Sequence, residues 1–176
     1  MTRRIHLNQL RRYLNDRSRQ ELIAEISSLY TRLAPVKEYY EVVLAPEGLE
    51  HSLAKHKEII SNEFIPHRGF AKARLSVAKK AITDFAKLSP SSDAVADLML
   101  FFVETGVEFT STYGDIDESF YRSLVTMYSR ALKLIFDNDV PSAFIDRCQR
   151  LISRLPQVGF LFVENMNEIH AQYFDE

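Results

Sequence analysis

An all-α fold is predicted by three features of the chain. Apolar residues recur at helical spacing, three and four apart, along almost its whole length. No run alternates apolar and polar residues with the period of two that a half-buried strand requires. The 5 glycines and 6 prolines fall almost entirely between the periodic segments, where they act as breaks. The expected architecture is a compact bundle, or a short stack, of about eight antiparallel helices.

The elements follow in order. A first helix over 7–15 carries Leu7, Leu10 and Leu14 on one face. Ser18-Arg19-Gln20-Glu21 opens the second as a capping box, the hydroxyl taking an orphan amide and the carboxylate reaching back. Its stripe of Leu22, Ile26, Leu29, Tyr30 and Leu33 is expected to be buried. Pro35 ends it and suits the start of a third helix over 36–44, which presents Val36, Tyr39, Tyr40 and Val43. A fourth, over 49–62, is polar on most sides and is expected at the periphery. Beyond Pro66 and Gly69, a fifth over 72–88 turns Leu75, Ala78, Ile82 and Phe85 inward. Ser91 or Ser92 caps a sixth over 93–113, the most apolar of all. A seventh over 118–136 buries Phe120, Leu124, Met127, Ala131 and Ile135. Pro141 starts an eighth to about 155, and a last covers 157–173 with Val158, Phe162, Met166, Ile169 and Tyr173. If the first is only a frayed turn, the number falls from nine to eight. Connections of two to six residues favour antiparallel neighbours. No motif repeats at a fixed period, which argues against a consensus repeat array.

The 176 residues, 46% apolar, fit one domain over 1–176. It divides into N-terminal helical hairpins (about 7–62), a central cationic segment (64–88) and an apolar helical core (92–174). Net charge is −2, but residues 1–88 hold 16 Lys/Arg and 10 Asp/Glu, against 6 and 14 in 89–176. Such asymmetry marks either an anionic partner or two halves that attract each other on folding. The single Cys148 has apolar helical neighbours and reads as a buried, inert thiol. The N-terminus has charge but no apolar h-region, and no apolar run approaches a bilayer span. A soluble cytoplasmic protein is expected, with no membrane role.

Motifs of common enzymes are missing from the sequence: HExxH, CxxC, the Walker loop, GxGxxG, GxSxG and the Glu-x-x-His pair of di-metal bundles. No catalytic residue, metal ligand set or cofactor is assigned. Three clusters remain. The segment 64–83 has no acidic residue and carries Arg68, Lys72, Arg74, Lys79 and Lys80. It could bind phosphates of nucleic acid, with Phe64 and Phe70 stacking on bases. It could bind a phosphorylated small molecule, or act as a hub paired with carboxylates inside the fold. Lys72, Lys79, Lys80 and Lys87 form a row away from the apolar stripe and suit solvent or an external anion. Arg68 and Arg74 lie outside that row and suit internal carboxylates.

The second cluster is a stripe of Asp93, Asp97, Glu104 and Glu108 on the sixth helix, within roughly 60° of arc. Its readings are a metal or acid–base site, a narrow solvated face, or partners for the cationic segment. The third is the acidic loop of Asp115 and Asp117, read as a helix cap with a cation site as the lesser alternative. His51 and His56, five apart, do not share a helical face and read as surface histidines. His170 has no complementary ligand pattern.

The chain resembles a bacterial domain-of-unknown-function family, number six-one-five-five. The resemblance rests on Leu14 with Ser18-Arg19-Gln20-Glu21-Leu22-Ile23, on Val36-Lys37-Glu38-Tyr39-Tyr40, and on Pro66-His67-Arg68-Gly69 with Lys72-Ala73-Arg74-Leu75-Ser76 and Ala78-Lys79-Lys80-Ala81-Ile82. It continues through Ala96-Asp97-Leu98-Met99-Leu100, Val103-Glu104-Thr105-Gly106 and Tyr113-Gly114-Asp115-Ile116-Asp117-Glu118 with Phe120-Tyr121. It spans about 10–136 and implies a small helical bacterial protein, with no activity attached. The expected role is that of a non-catalytic interaction or accessory protein, its partner another protein or a second copy. The alternative is a nucleic-acid- or phosphate-binding module using 64–83. A metal-dependent enzyme using Asp97, Glu104 or Glu108 ranks last.

Overall fold

The computed structural model describes residues 5–138, 141–156 and 161–174. These form an all-α fold of nine helices: α1 (Leu7–Asn15), α2 (Arg19–Arg32), α3 (Ala34–Leu44), α4 (Gly48–Phe64), α5 (Leu75–Leu88), α6 (Ser92–Tyr113), α7 (Glu118–Asp137), α8 (Pro141–Ser153) and α9 (Phe162–Phe174). The local signals work as expected. Ser18 and Glu21 close the capping box, with the Glu21 amide 3.2 Å from Ser18 Oγ and the Ser18 amide 2.8 Å from Glu21 Oε2. Ser91, not Ser92, caps α6, and Asp117 caps α7. Residue Val158, expected on the last helix, lies outside the described residues.

α6 is the central element, in contact with α4, α5 and α7, while α9 lies on α7. Its Leu98, Leu100, Phe102 and Val103 are fully buried. Gly106 lets α7 approach: a Cβ there would stand 2.4 Å from Leu124 Cδ2. The expected inward faces of α5 and α7 are in place, from Ala78, Ile82 and Phe85 to Phe120, Leu124, Met127, Ala131 and Ile135.

Four expectations need correction. α4 is not peripheral. Ser52, His56, Ile60, Glu63 and Phe64 recur at helical spacing and are all buried, so α4 has an inward stripe whose polar members disguise it. His56 is accordingly not a surface histidine: its ring lies 5.3 Å from that of Phe85, and Nδ1 is 2.7 Å from the Ser52 carbonyl oxygen. α5 begins at Leu75 rather than at 72. Ala73 adopts φ 49°, a left-handed conformation that excludes it from a helix, and the Lys72 and Ala73 amides instead donate to the Glu63 carbonyl at 3.0 and 2.8 Å.

The fourth correction concerns the N-terminal arm. α1 and α2 bury no residue, and α3 buries only Val42. Periodicity correctly marks an apolar face on α2, but α3 covers it only in part, and Ile26, Leu29, Tyr30 and Leu33 stay 38–47% exposed. Of the fifteen large hydrophobic residues exposed among the described residues, twelve lie within 5–44, with exposures between 38 and 78%. The arm is held by α2 on α3 and α3 on α4, with Tyr30 and Tyr40 meeting edge-on at 6.3 Å.

Candidate functional site

The carboxylate stripe on α6 separates into two kinds of residue. Asp93 and Glu108 are exposed. Asp97 and Glu104, two turns apart on one face, converge on Arg147 of α8. The guanidinium donates Nε and Nη2 to the two Glu104 oxygens, each at 2.7 Å, and Nη1 to Asp97 Oδ1. Its Nη2 also reaches the Asp97 carbonyl at 3.3 Å. Asp97 accepts a second cation, Lys57 of α4, at 2.6 Å. Burial alone would lower the Arg147 pKa, but hydrogen bonds and charge from Glu104 and Asp97 reverse that and raise it above its ordinary value. The partners of the stripe are thus Lys57 and Arg147, not the cationic segment. The network locks α4, α6 and α8 together and leaves both carboxylates fully engaged. It borders a groove of about 590 Å3 that Arg150 and Arg154 also line.

The cations of 64–83 go separate ways. Arg74 pairs with Glu63: its Nε and Nη2 donate to the two carboxylate oxygens at 2.9 and 2.6 Å, and its amide adds a third bond at 3.2 Å. Glu63 is 4% exposed, and the Arg74 hydrogen bonds hold its pKa below the ordinary carboxylate value against the opposing effect of burial. Arg68 and Lys72 are exposed. Lys80 is exposed and paired with Asp84. Lys79 is not in an outer row: it is half-buried and donates to Ser123 Oγ at 2.7 Å. Phe64 is fully buried and is not placed to stack on bases, whereas Phe70 is 91% exposed. A continuous cationic and aromatic surface is therefore not formed by this segment.

The depressed pKa of Glu63 makes stability pH-dependent in a defined direction. Its contribution is present above the unfolded-state value near 4.5 and is lost as pH falls through the lower folded value. Glu63→Gln is expected to cost about 1–2 kcal/mol at neutral pH and to flatten the stability profile below pH 4.5. Chemical denaturation of both proteins across that range checks it.

Both residues of the acidic loop have internal roles. Asp117 Oδ1 accepts the Phe120 amide at 3.0 Å as the α7 cap. Asp115 accepts the Tyr121 hydroxyl at 2.6 Å, and the same hydroxyl accepts the Ile116 amide at 3.1 Å. Deeper in the core, Tyr128 lies between Cys148 and His170, its hydroxyl 2.7 Å from His170 Nδ1. Burial raises the Tyr128 pKa and pushes the Cys148 thiol up to about 11, so the thiol stays protonated near neutrality. Among the described residues, no group of three His, Cys, Asp or Glu side chains is placed to hold a metal ion, and no helix is long and apolar enough to cross a membrane.

Arg147, Lys57 and Glu63 were not singled out from the sequence, although their phase marks two of them. Arg147 stands three residues after Phe144 and four before Leu151, both buried. Glu63 stands three after buried Ile60. A charged residue in phase with an apolar face signals an internal partner.

The model of a family of unknown function, DUF6155, matches residues 5–173, and the chain belongs to that family. No curated protein matches the chain. No solved structure matches it either.

Proposed function

We propose that this member of the family is a cytoplasmic, non-catalytic interaction protein, and that its α1–α3 arm docks on a second copy of the same chain. The observation that carries this reading is the uncovered apolar face of the arm. At exposures of roughly one half, its twelve large hydrophobic residues leave on the order of 1,000 Å2 of apolar side-chain surface open. A stable interface takes ~800 Å2 from each partner, which this total covers.

The pattern of the face favours a copy of itself. Leu22, Ile26 and Leu29 are spaced 4 and 3, as in the seam of a helix that packs against a like helix, with Leu33 just past its last turn. Leu7, Leu10 and Leu14 continue the same 3 and 4 spacing on α1. A two-fold interface requires such self-complementarity. The non-catalytic part of the reading is supported by the saturation of Asp97 and Glu104 and by the burial of Tyr128 and Cys148. An unbridged buried cysteine suits a reducing compartment.

Sedimentation or light scattering of the intact protein tests it. The expected mass is twice 20.4 kDa, falling to that of a monomer for Ile26→Glu with Leu29→Glu. Helicity of the variant should stay near the parent's, because α2 buries nothing in the single chain, while its thermal midpoint should fall toward that of an unpaired chain. A parent protein that remains monomeric at every concentration, or one that instead binds anionic vesicles through the arm, would overturn the proposal.

A further inference from the structure

We infer a binding site for a small phosphorylated ligand in the cleft between α5 and α7, at Lys79, Arg122 and Arg130. The three cations line a cavity of about 220 Å3 that has no carboxylate in its lining. Lys79 and Thr83, four apart on α5, face Arg122, Thr126 and Arg130, spaced by four on α7. Ile82 and Met127 are the buried apolar members of the lining. Three positive charges around one cleft repel one another, most at the half-buried Lys79. The lining supplies no carboxylate to offset that repulsion, so an anion in the cleft would relieve it.

The existing bonds leave the cations available. Lys79 donates to Ser123 Oγ, which itself donates to the Ser119 carbonyl at 2.8 Å. A neutral hydroxyl is a poor final partner for a half-buried ammonium, whose two other protons remain open. Arg122 pairs with Glu118 of its own helix, and both are mostly exposed, a weak contact that an incoming anion displaces. Arg130 makes no ion pair among the described residues. The nearby Asp84 on α5 is taken by Lys80 and Lys87. The threonine hydroxyls are bonded to helix carbonyls, so recognition falls to the cations.

Their chemistry selects the ligand. Two guanidinium forks and one ammonium match a tetrahedral dianion with several acceptor oxygens. The volume is below the ~300–1,000 Å3 of sites for larger ligands, which limits the buried part to a phosphate group with little attached. Inorganic phosphate and a small phosphate monoester share this chemistry.

Calorimetric titration of the full-length protein with inorganic phosphate, glycerol phosphate and chloride tests the site. Phosphate or its ester is expected to bind at millimolar concentration or below, and chloride is not. Tighter binding of the ester identifies a phosphorylated small molecule as the source, and equal binding identifies free phosphate. Arg130→Gln, on an exposed side chain, should weaken binding about tenfold or more, while Lys80→Gln outside the cavity should not. The inference fails if about 10 mM phosphate and ester produce no heat of binding, or if Arg130→Gln and Lys80→Gln behave alike. It also fails if only an oligonucleotide binds, since that places recognition on a surface larger than this cleft.

Discussion

Replacing Arg147 with Met is expected to lower stability by about 3 kcal/mol, and the melting midpoint by about 9 °C for a chain of this size. Methionine keeps most of the apolar stem and removes the charge, so the loss reports the network rather than the packing. The figure sits at the lower end for a broken buried pair because Arg147 is 21% exposed and its groove admits water to the carboxylates left behind. The two carboxylates should respond differently. Lys57 still holds Asp97 at 2.6 Å, whereas no second cation among the described residues bonds Glu104. Adding Glu104→Gln to the Arg147→Met background should therefore recover more stability than adding Asp97→Asn. Denaturant titrations of the single and double variants measure this. If every pair of changes proves additive, the three side chains do not act as a unit.

The same network shows where sequence reading stops. Features that depend on neighbours a few residues apart were legible: the capping box at Ser18 and Glu21, the Asp117 cap, the apolar α6 and the inward stripe of α7. Periodicity reports which face of a helix is apolar, but not what covers it. It marked Ile26, Leu29 and Leu33 without revealing that the chain leaves them open. It likewise identified Asp97 and Glu104 as carboxylates in need of partners, while the cations came from residues 40 and more positions away. Loop closure over such distances costs little extra with length, so chain separation gives no hint of pairing.

The cationic segment had the opposite problem. Its composition looks uniform, yet backbone geometry assigns each member a different fate. The left-handed turn at Ala73 delays the helix and aims Arg74 back at Glu63. The three-residue shift in the start of α5 leaves Lys72 with Arg68 in the preceding connection, and Lys79 meets α7 through Ser123. A cavity lined by three cations then arises from one residue of the segment and two that the sequence reading left aside, Arg122 and Arg130.

Phe64→Ala is expected to exceed even the Arg147 change, at about 4 kcal/mol and about 12 °C in the midpoint. Phe64 ends α4 fully buried, with ring centroids 5.5, 6.0 and 5.8 Å from those of Phe102, Phe109 and Phe120. Truncation removes the transfer free energy of the ring and leaves a cavity walled by α6 and α7, whose own side chains are fixed by close packing at Gly106. The carboxylates exposed by Arg147→Met recover part of their loss through hydration, but an apolar cavity stays dry and recovers nothing. Phe64 also adjoins Glu63, so the loss should spread to the connection that Glu63 organises. Hydrogen exchange at the Lys72 and Ala73 amides, both bonded to the Glu63 carbonyl, should accelerate more than exchange in the middle of α7. Phe64→Leu, which refills most of the volume, should cost less than about 1.5 kcal/mol and leave those two amides protected. Equal costs for Leu and Ala would mean that the aromatic contacts, rather than the filled volume, hold this end of α4 in place.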